Sequence, residues 1–136
     1  MATMKNNPFE SIPDDQMNEE LNVENLQGVL DMVKDSSEKV LFLMDDVVND
    51  IRKSPELQRL INKIVMNRRH LAGDGGSVAV IMTSQVYNKI PASIRKTASH
   101  IYLFHTRNKK EIDTIFDEII LISKKEFYNV LNFVFK

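Results

Sequence analysis

Three short apolar runs in this sequence each end in side chains that can do chemistry. Val40-Leu41-Phe42-Leu43-Met44 ends in Asp45-Asp46, and Val78-Ala79-Val80-Ile81-Met82 ends in Thr83-Ser84-Gln85. Ile101-Tyr102-Leu103-Phe104 ends in His105-Thr106-Arg107. If the runs are neighbouring parallel strands, two carboxylates, hydroxyls, an amide and a cation converge on one edge. That edge, outside the carboxyl ends of the strands, is where open parallel sheets hold their ligands. The mix suits a magnesium-bound polyphosphate. Magnesium wants hard oxygen ligands and usually takes only one or two carboxylates. An amide can orient a water for in-line attack on phosphorus. Taken singly, each feature is ordinary, since buried strands often meet acidic turns and many loops hold a glutamine. The combination, in order and at compact spacing, carries the reading.

The elements that must position these groups follow from periodicity and breakers. Residues 1–20 hold Pro8, Pro13, Glu10, Asp14, Asp15, Glu19 and Glu20 with few apolar groups, so they read as a flexible acidic lead-in. Met1 to Asn7 is expected to fray. From Asn22, the spacing of Val23, Leu26, Val29, Leu30 and Val33 predicts a helix to about Lys34. Lys39 to Met44 is a fully buried strand by its brevity and its acidic stop. Ser54-Pro55 opens a second helix, with Ser54 as N-cap and Pro55 at the first position. Its stripe is Leu57, Leu60, Ile61, Ile64 and Val65, and it runs to about Leu71. Arg59, Lys63, Arg68 and Arg69 lie off the stripe. Asp74-Gly75-Gly76 supplies a turn, and Ser77 to Thr83 is a second buried strand.

Pro91 to Ala98 predicts a short helix, and Ile101 to Phe104 a third strand. Asn108 with Glu111, and Ser123 with Glu126, have capping-box spacing before two further amphipathic helices. Buried strands alternating with helices predict an α/β fold, a parallel sheet flanked by helices.

Composition narrows the chemistry. With 136 residues, the chain is long enough for one domain with its own core. It has no cysteine, which excludes disulfides, thiolate metal sites and a cysteine nucleophile within it. Eighteen basic residues against nineteen acidic ones leave a net charge of −1, so any contact with nucleic acid must rest on local patches. No apolar run approaches the ~18 residues of a membrane-spanning helix. The amino-terminal segment does not read as a signal or transit peptide, so an intracellular, soluble chain is expected.

The residues carry a resemblance. Val40 to Asp46 resembles the Walker B strand of the FtsK–HerA superfamily of DNA-pumping ATPases. Asn67-Arg68-Arg69-His70 and then Val78 to Gln85 resemble the stretch leading to that superfamily's glutamine-terminated strand. Tyr87-Asn88-Lys89-Ile90-Pro91, Ile94-Arg95 and Ile101 to Phe104 are similar to the genome-packaging ATPases of large DNA viruses, the poxvirus-like branch. The resemblance covers roughly residues 38–120.

It implies a partial P-loop (RecA/FtsK-like) sheet in residues 21–136, with ATP and Mg²⁺ as cofactors. Asp45 would hold Mg²⁺, usually through water. Asp46 stands where the superfamily often has a glutamate that polarises the attacking water. Gln85 would sense the γ-phosphate, with Thr83 and Ser84 beside it. Arg69 and Arg95 are both candidates for an arginine finger acting on a neighbouring subunit, since a guanidinium matches phosphoryl oxygens. The implied partners are double-stranded DNA, further subunits in a ring, and a capsid portal or vertex. The implied location is the viral factory in the host cytoplasm, or the virion.

The departure from the family is equally specific. A P-loop needs Gly-x-x-x-x-Gly-Lys-Ser/Thr, whose backbone N–H groups cradle the phosphates. The four glycines here are Gly28, Gly73, Gly75 and Gly76, and none precedes a lysine. The chain therefore looks like the C-terminal part of a packaging ATPase: a gene fragment, an exon, half of a split gene or a diverged copy. It would work with a Walker A-bearing chain, or be a remnant that assembles with a full-length ATPase and hydrolyses nothing. A receiver-like phosphoacceptor domain also pairs acidic residues at one strand end with Thr or Ser at a later one. No further aspartate-bearing strand lies between Met44 and Ser77 to support that reading. His70, His100 and His105 are too widely spaced for a local metal motif. Phe127, Tyr128, Phe133 and Phe135 have helical spacing, which predicts core or subunit contact ahead of base stacking.

Overall fold

The structure, a computed structural model, describes residues 9–34 and 36–135. The expected fraying of Met1 to Asn7 lies outside the described residues. Residues 9–20 are almost wholly exposed and contain one 3-10 turn, Asp14–Gln16.

Local signals start most of the helices. Asn22 accepts the Asn25 backbone N–H at 2.8 Å and opens α1 (Val23–Lys34). Ser54 accepts the Leu57 N–H at 3.2 Å, and Pro55 begins α3 (Pro55–Asn67). Between β1 (Lys39–Met44) and α3 lies a short helix beyond those expected, α2 (Val48–Lys53), which buries Val48 and Ile51. Leu57, Ile61, Ile64 and Val65 of α3 are buried against Leu26 and Leu30 of α1, Met44 and Ile94. The expected stripe is therefore the core.

β1 pairs in parallel with β2 (Ser77–Met82), Leu41 lying opposite Ala79 and Leu43 opposite Ile81. Helices α2 and α3 form the crossover. The turn into β2 depends on two glycines. Gly75 has φ +81°, which a side chain resists. Gly76 lies against the Ser36–Glu38 backbone, so that an added Cβ would stand 2.8 Å from the Ser36 carbonyl oxygen.

The result is a mixed helix–strand fold with a two-stranded parallel sheet flanked by helices. Two expectations need correction. The strands are not buried on both faces. Phe42, Met44, Val78, Val80 and Met82 lie on the inner face, while Leu41, Leu43 and Ile81 on the other remain 56%, 43% and 50% exposed. Ile101 to Phe104 is not a strand. A strand exists only through a neighbour's hydrogen bonds, and among the described residues β1 and β2 pair only with each other. The segment stays irregular and exposed despite its strand-like composition.

Before it, α4 (Ala92–Arg95) is shorter than the expected helix. The last two helices, α5 (Lys109–Ile119) and α6 (Lys124–Val134), begin at the expected caps. Ser123 and Glu126 form the full reciprocal box. Asn108 caps α5, but Glu111 accepts from the Thr106 hydroxyl instead of returning to the cap. Phe116 and Phe127 stack with centroids 5.5 Å apart, and Lys124 pairs with Asp113 at 2.6 Å, tying the two helices together.

Candidate functional site

The carboxyl ends of β1 and β2 meet because the strands run in parallel register, and the Thr83 N–H donates to the Met44 carbonyl at 2.9 Å. The next residue but one, Asp46, turns into the left-handed region with φ 49°. Aspartate tolerates that conformation better than most side chains do. The turn aims the Asp46 backbone N–H at the Thr83 hydroxyl, 3.3 Å away. That hydroxyl in turn donates to Asp45 Oδ1. Gln85 Nε2 donates to Asp46 Oδ2 at 3.2 Å. One threonine and one glutamine on the second strand end thus hold two aspartates on the first. Ser84 bends away from them: its hydroxyl donates to the Val86 carbonyl at 3.1 Å and accepts the Val86 N–H.

Asp45, Asp46, Thr83 and Gln85 are all exposed. Asp46, Ser84 and Gln85 line a small polar cleft of about 50 Å³ together with Asn49 and Lys89. Two carboxylates, a hydroxyl and an amide oxygen are hard donors that fit Mg²⁺ held partly through water. A cleft of this size takes a few waters, not a triphosphate. The donor set therefore fits a hydrated Mg²⁺ ion, while a Gly-rich run for a phosphate cradle of backbone N–H groups is missing from the sequence.

The other expected residues fall elsewhere. Arg69 is exposed just past the end of α3 and makes no hydrogen bond or ion pair among the described residues. Arg68 instead donates to the Val65 carbonyl at 2.7 Å, and Arg59 and Lys63 are exposed. Arg95 is enclosed, its side chain 10% exposed. Its Nε and NH2 grip Glu118 at 2.9 and 2.5 Å, and its NH1 donates to the Ile90 carbonyl at 2.7 Å. The Tyr87 hydroxyl donates to the same carboxylate at 2.9 Å. Arg95's hydrogen bonds hold the Glu118 carboxyl below the usual carboxylate range. Burial, with help from Glu118, pushes the Tyr87 hydroxyl up to about 12. Nothing local in the sequence links Glu118 to Arg95 and Tyr87, which stand 23 and 31 residues before it.

Thr106 and Arg107, expected at the same edge, line a different cleft of about 320 Å³ between the 103–107 segment and α5–α6. His105 stacks on Phe135 at 5.3 Å. Phe127 is buried there, while Phe133 is 77% exposed. No family model, curated protein or solved structure matches this chain. What it does has to be argued from the strand ends themselves.

Proposed function

We propose that this chain is the metal- and water-handling portion of a P-loop ATPase, similar to the genome-packaging motors of large DNA viruses. The observation that carries the reading is the hydrogen-bonded set Asp45, Asp46, Thr83 and Gln85 across two adjacent parallel strand ends. The sheet in this reading is the partial core of a RecA/FtsK-like domain. Asp45 would hold Mg²⁺ through water, and the ion would supply positive charge for the phosphates. Asp46 accepts a proton from the attacking water, and Gln85, bonded to Asp46, orients that water. Thr83 fixes both aspartates, and Ser84 shapes the turn that carries Gln85. Of the two candidate fingers, Arg69 is the exposed one and supplies the guanidinium for a neighbouring subunit's nucleotide.

A Walker A-bearing chain completes the phosphate cradle, and the assembled ring drives double-stranded DNA toward a capsid portal or vertex. The work takes place in the viral factory in the host cytoplasm, or in the virion. DNA contact in such a ring is mostly to phosphate and falls with salt.

The missing phosphate cradle favours a second reading, a non-catalytic remnant that assembles with a full-length ATPase. The test mixes the full chain with the polypeptide encoded immediately upstream and follows Mg²⁺-dependent ATP turnover. The proposal expects the chain alone to be silent and the mixture to turn over. Asp46→Asn should reduce that turnover by roughly a hundredfold or more, as loss of a catalytic base does. Turnover that ignores Asp46→Asn would refute the role, and a silent mixture would favour the remnant.

A further inference from the structure

Gln85 is exposed, and a single 3.2 Å hydrogen bond to Asp46 is its only side-chain bond among the described residues. Its position must therefore come from the backbone that carries it. That backbone continues through a tight turn at Ser84–Val86 into a 3-10 turn, Tyr87–Lys89, closed by the Lys89 N–H to the Val86 carbonyl at 3.1 Å. Three groups grip this turn. The Arg95 NH1 holds the Ile90 carbonyl at 2.7 Å and approaches the Asn88 carbonyl at 3.5 Å. The Arg95 guanidinium also lies 5.0 Å from the Tyr87 ring centroid, and the Tyr87 hydroxyl reaches Glu118. Glu118 belongs to α5, which packs on the same turn.

We propose that Arg95, Glu118 and Tyr87 form a clasp that positions Gln85 against Asp46 and links it mechanically to the α5–α6 hairpin. Arg95 is then a positioning residue within its own subunit. The planar fork matters as much as the charge. One guanidinium face covers Tyr87 while two edges serve Glu118 and Ile90, and an ammonium cannot do all three. A displacement of α5 pulls Glu118 and, through it, the turn that carries Gln85. In the consequence for turnover, the clasp rests on the ATPase reading above; its geometry does not.

The experiment separates the two. In the full ¹⁵N-labelled chain without nucleotide, the Gln85 side-chain amide is assigned by its loss in Gln85→Glu. Arg95→Lys, Glu118→Gln and Tyr87→Phe are then compared. The clasp predicts that the Gln85 amide signals collapse toward free-glutamine positions in Arg95→Lys and Glu118→Gln, and shift part-way in Tyr87→Phe. The amides of Leu26 and Ile61 in the core should stay in place. Should Arg95→Lys or Glu118→Gln lose the folded core, Tyr87→Phe decides alone, because it keeps the ring and removes only the hydroxyl. Gln85 signals unmoved in a folded variant overturn the clasp. In the complemented ATPase, Arg95→Lys should lower kcat roughly ten- to a hundredfold with the KM for ATP unchanged, as misplacement of a water-orienting group does. Moved Gln85 signals with unchanged kcat leave the clasp standing and refute the role of Gln85 in hydrolysis.

Discussion

Replacing Thr83 by valine tests the junction on which the site depends. Valine keeps the shape of threonine and puts a methyl group in place of the hydroxyl. In the native chain that hydroxyl donates to Asp45 Oδ1 and accepts the Asp46 N–H at 3.3 Å. A hydrogen bond to a charged acceptor is worth up to about 3 kcal/mol where water is excluded. Both partners here are exposed, so water replaces much of it and ~1 kcal/mol remains. The longer second bond adds roughly half that. Thr83→Val should therefore cost about 1–1.5 kcal/mol, whereas Thr83→Ser keeps both bonds and loses one exposed methyl, costing a few tenths. For a chain of 136 residues the valine variant should melt about 4 °C lower than the serine variant. Thermal unfolding of the two variants at one protein concentration measures the difference. Hydrogen exchange of the Asp46 amide supplies a local check, since it should speed up in Thr83→Val alone. Equal melting temperatures with equal Asp46 protection would show that the hydroxyl does not hold the strand ends together.

Two further perturbations follow. Gly76→Ala should cost about 2–4 kcal/mol, because its Cβ would meet the Ala72 Cβ at 2.6 Å and the Ser36 carbonyl at 2.8 Å. Gly75→Ala meets open space and carries only the strain of φ +81°, about 1 kcal/mol, so denaturant midpoints that reverse this order refute the packing at the turn. The clasp also has a pH window. The Tyr87 hydroxyl is raised from 10.0 to about 12 by burial and Glu118, so its stabilisation is whole below 10 and lost as pH rises through about 12. Glu118 is lowered, chiefly by Arg95's hydrogen bonds, so its share is whole above the ordinary value of 4.5 and lost as pH falls through the lowered one. Burial and Asp113 raise the Tyr128 hydroxyl as well, so phenolate absorbance should show two late-ionising tyrosines, of which Tyr87→Phe removes one; two persisting there would contradict the assignment.

What the sequence made legible was local. Ser54-Pro55, Asn108 and Ser123 announce helices because a cap needs only the next three residues. The apolar runs at 39–44 and 77–82 announce strands because they are short and abruptly ended. Thr83 and Gln85 could be matched to Asp45 and Asp46 because adjacent parallel strands deliver their ends to one place. Two of the failures are non-local. Ile101–Phe104 has the composition of a strand, but among the described residues no strand pairs with it. Arg95 reads in the sequence as a candidate arginine finger because its acceptor, Glu118, lies 23 residues further on. The α2 helix escaped notice because six residues carry too little periodicity, although Val48 and Ile51 stand one turn apart.

The open face of the sheet has a thermodynamic consequence. Leu41, Leu43 and Ile81 form an apolar surface that only the folded chain presents. Any molecule that covers it binds the native state and not the unfolded one, and so pulls the folding equilibrium by mass action. At a hundred times its dissociation constant, such a ligand adds about 2.7 kcal/mol, more than the whole effect assigned to Thr83. The stability of this chain is accordingly a function of what it is mixed with and how concentrated it is.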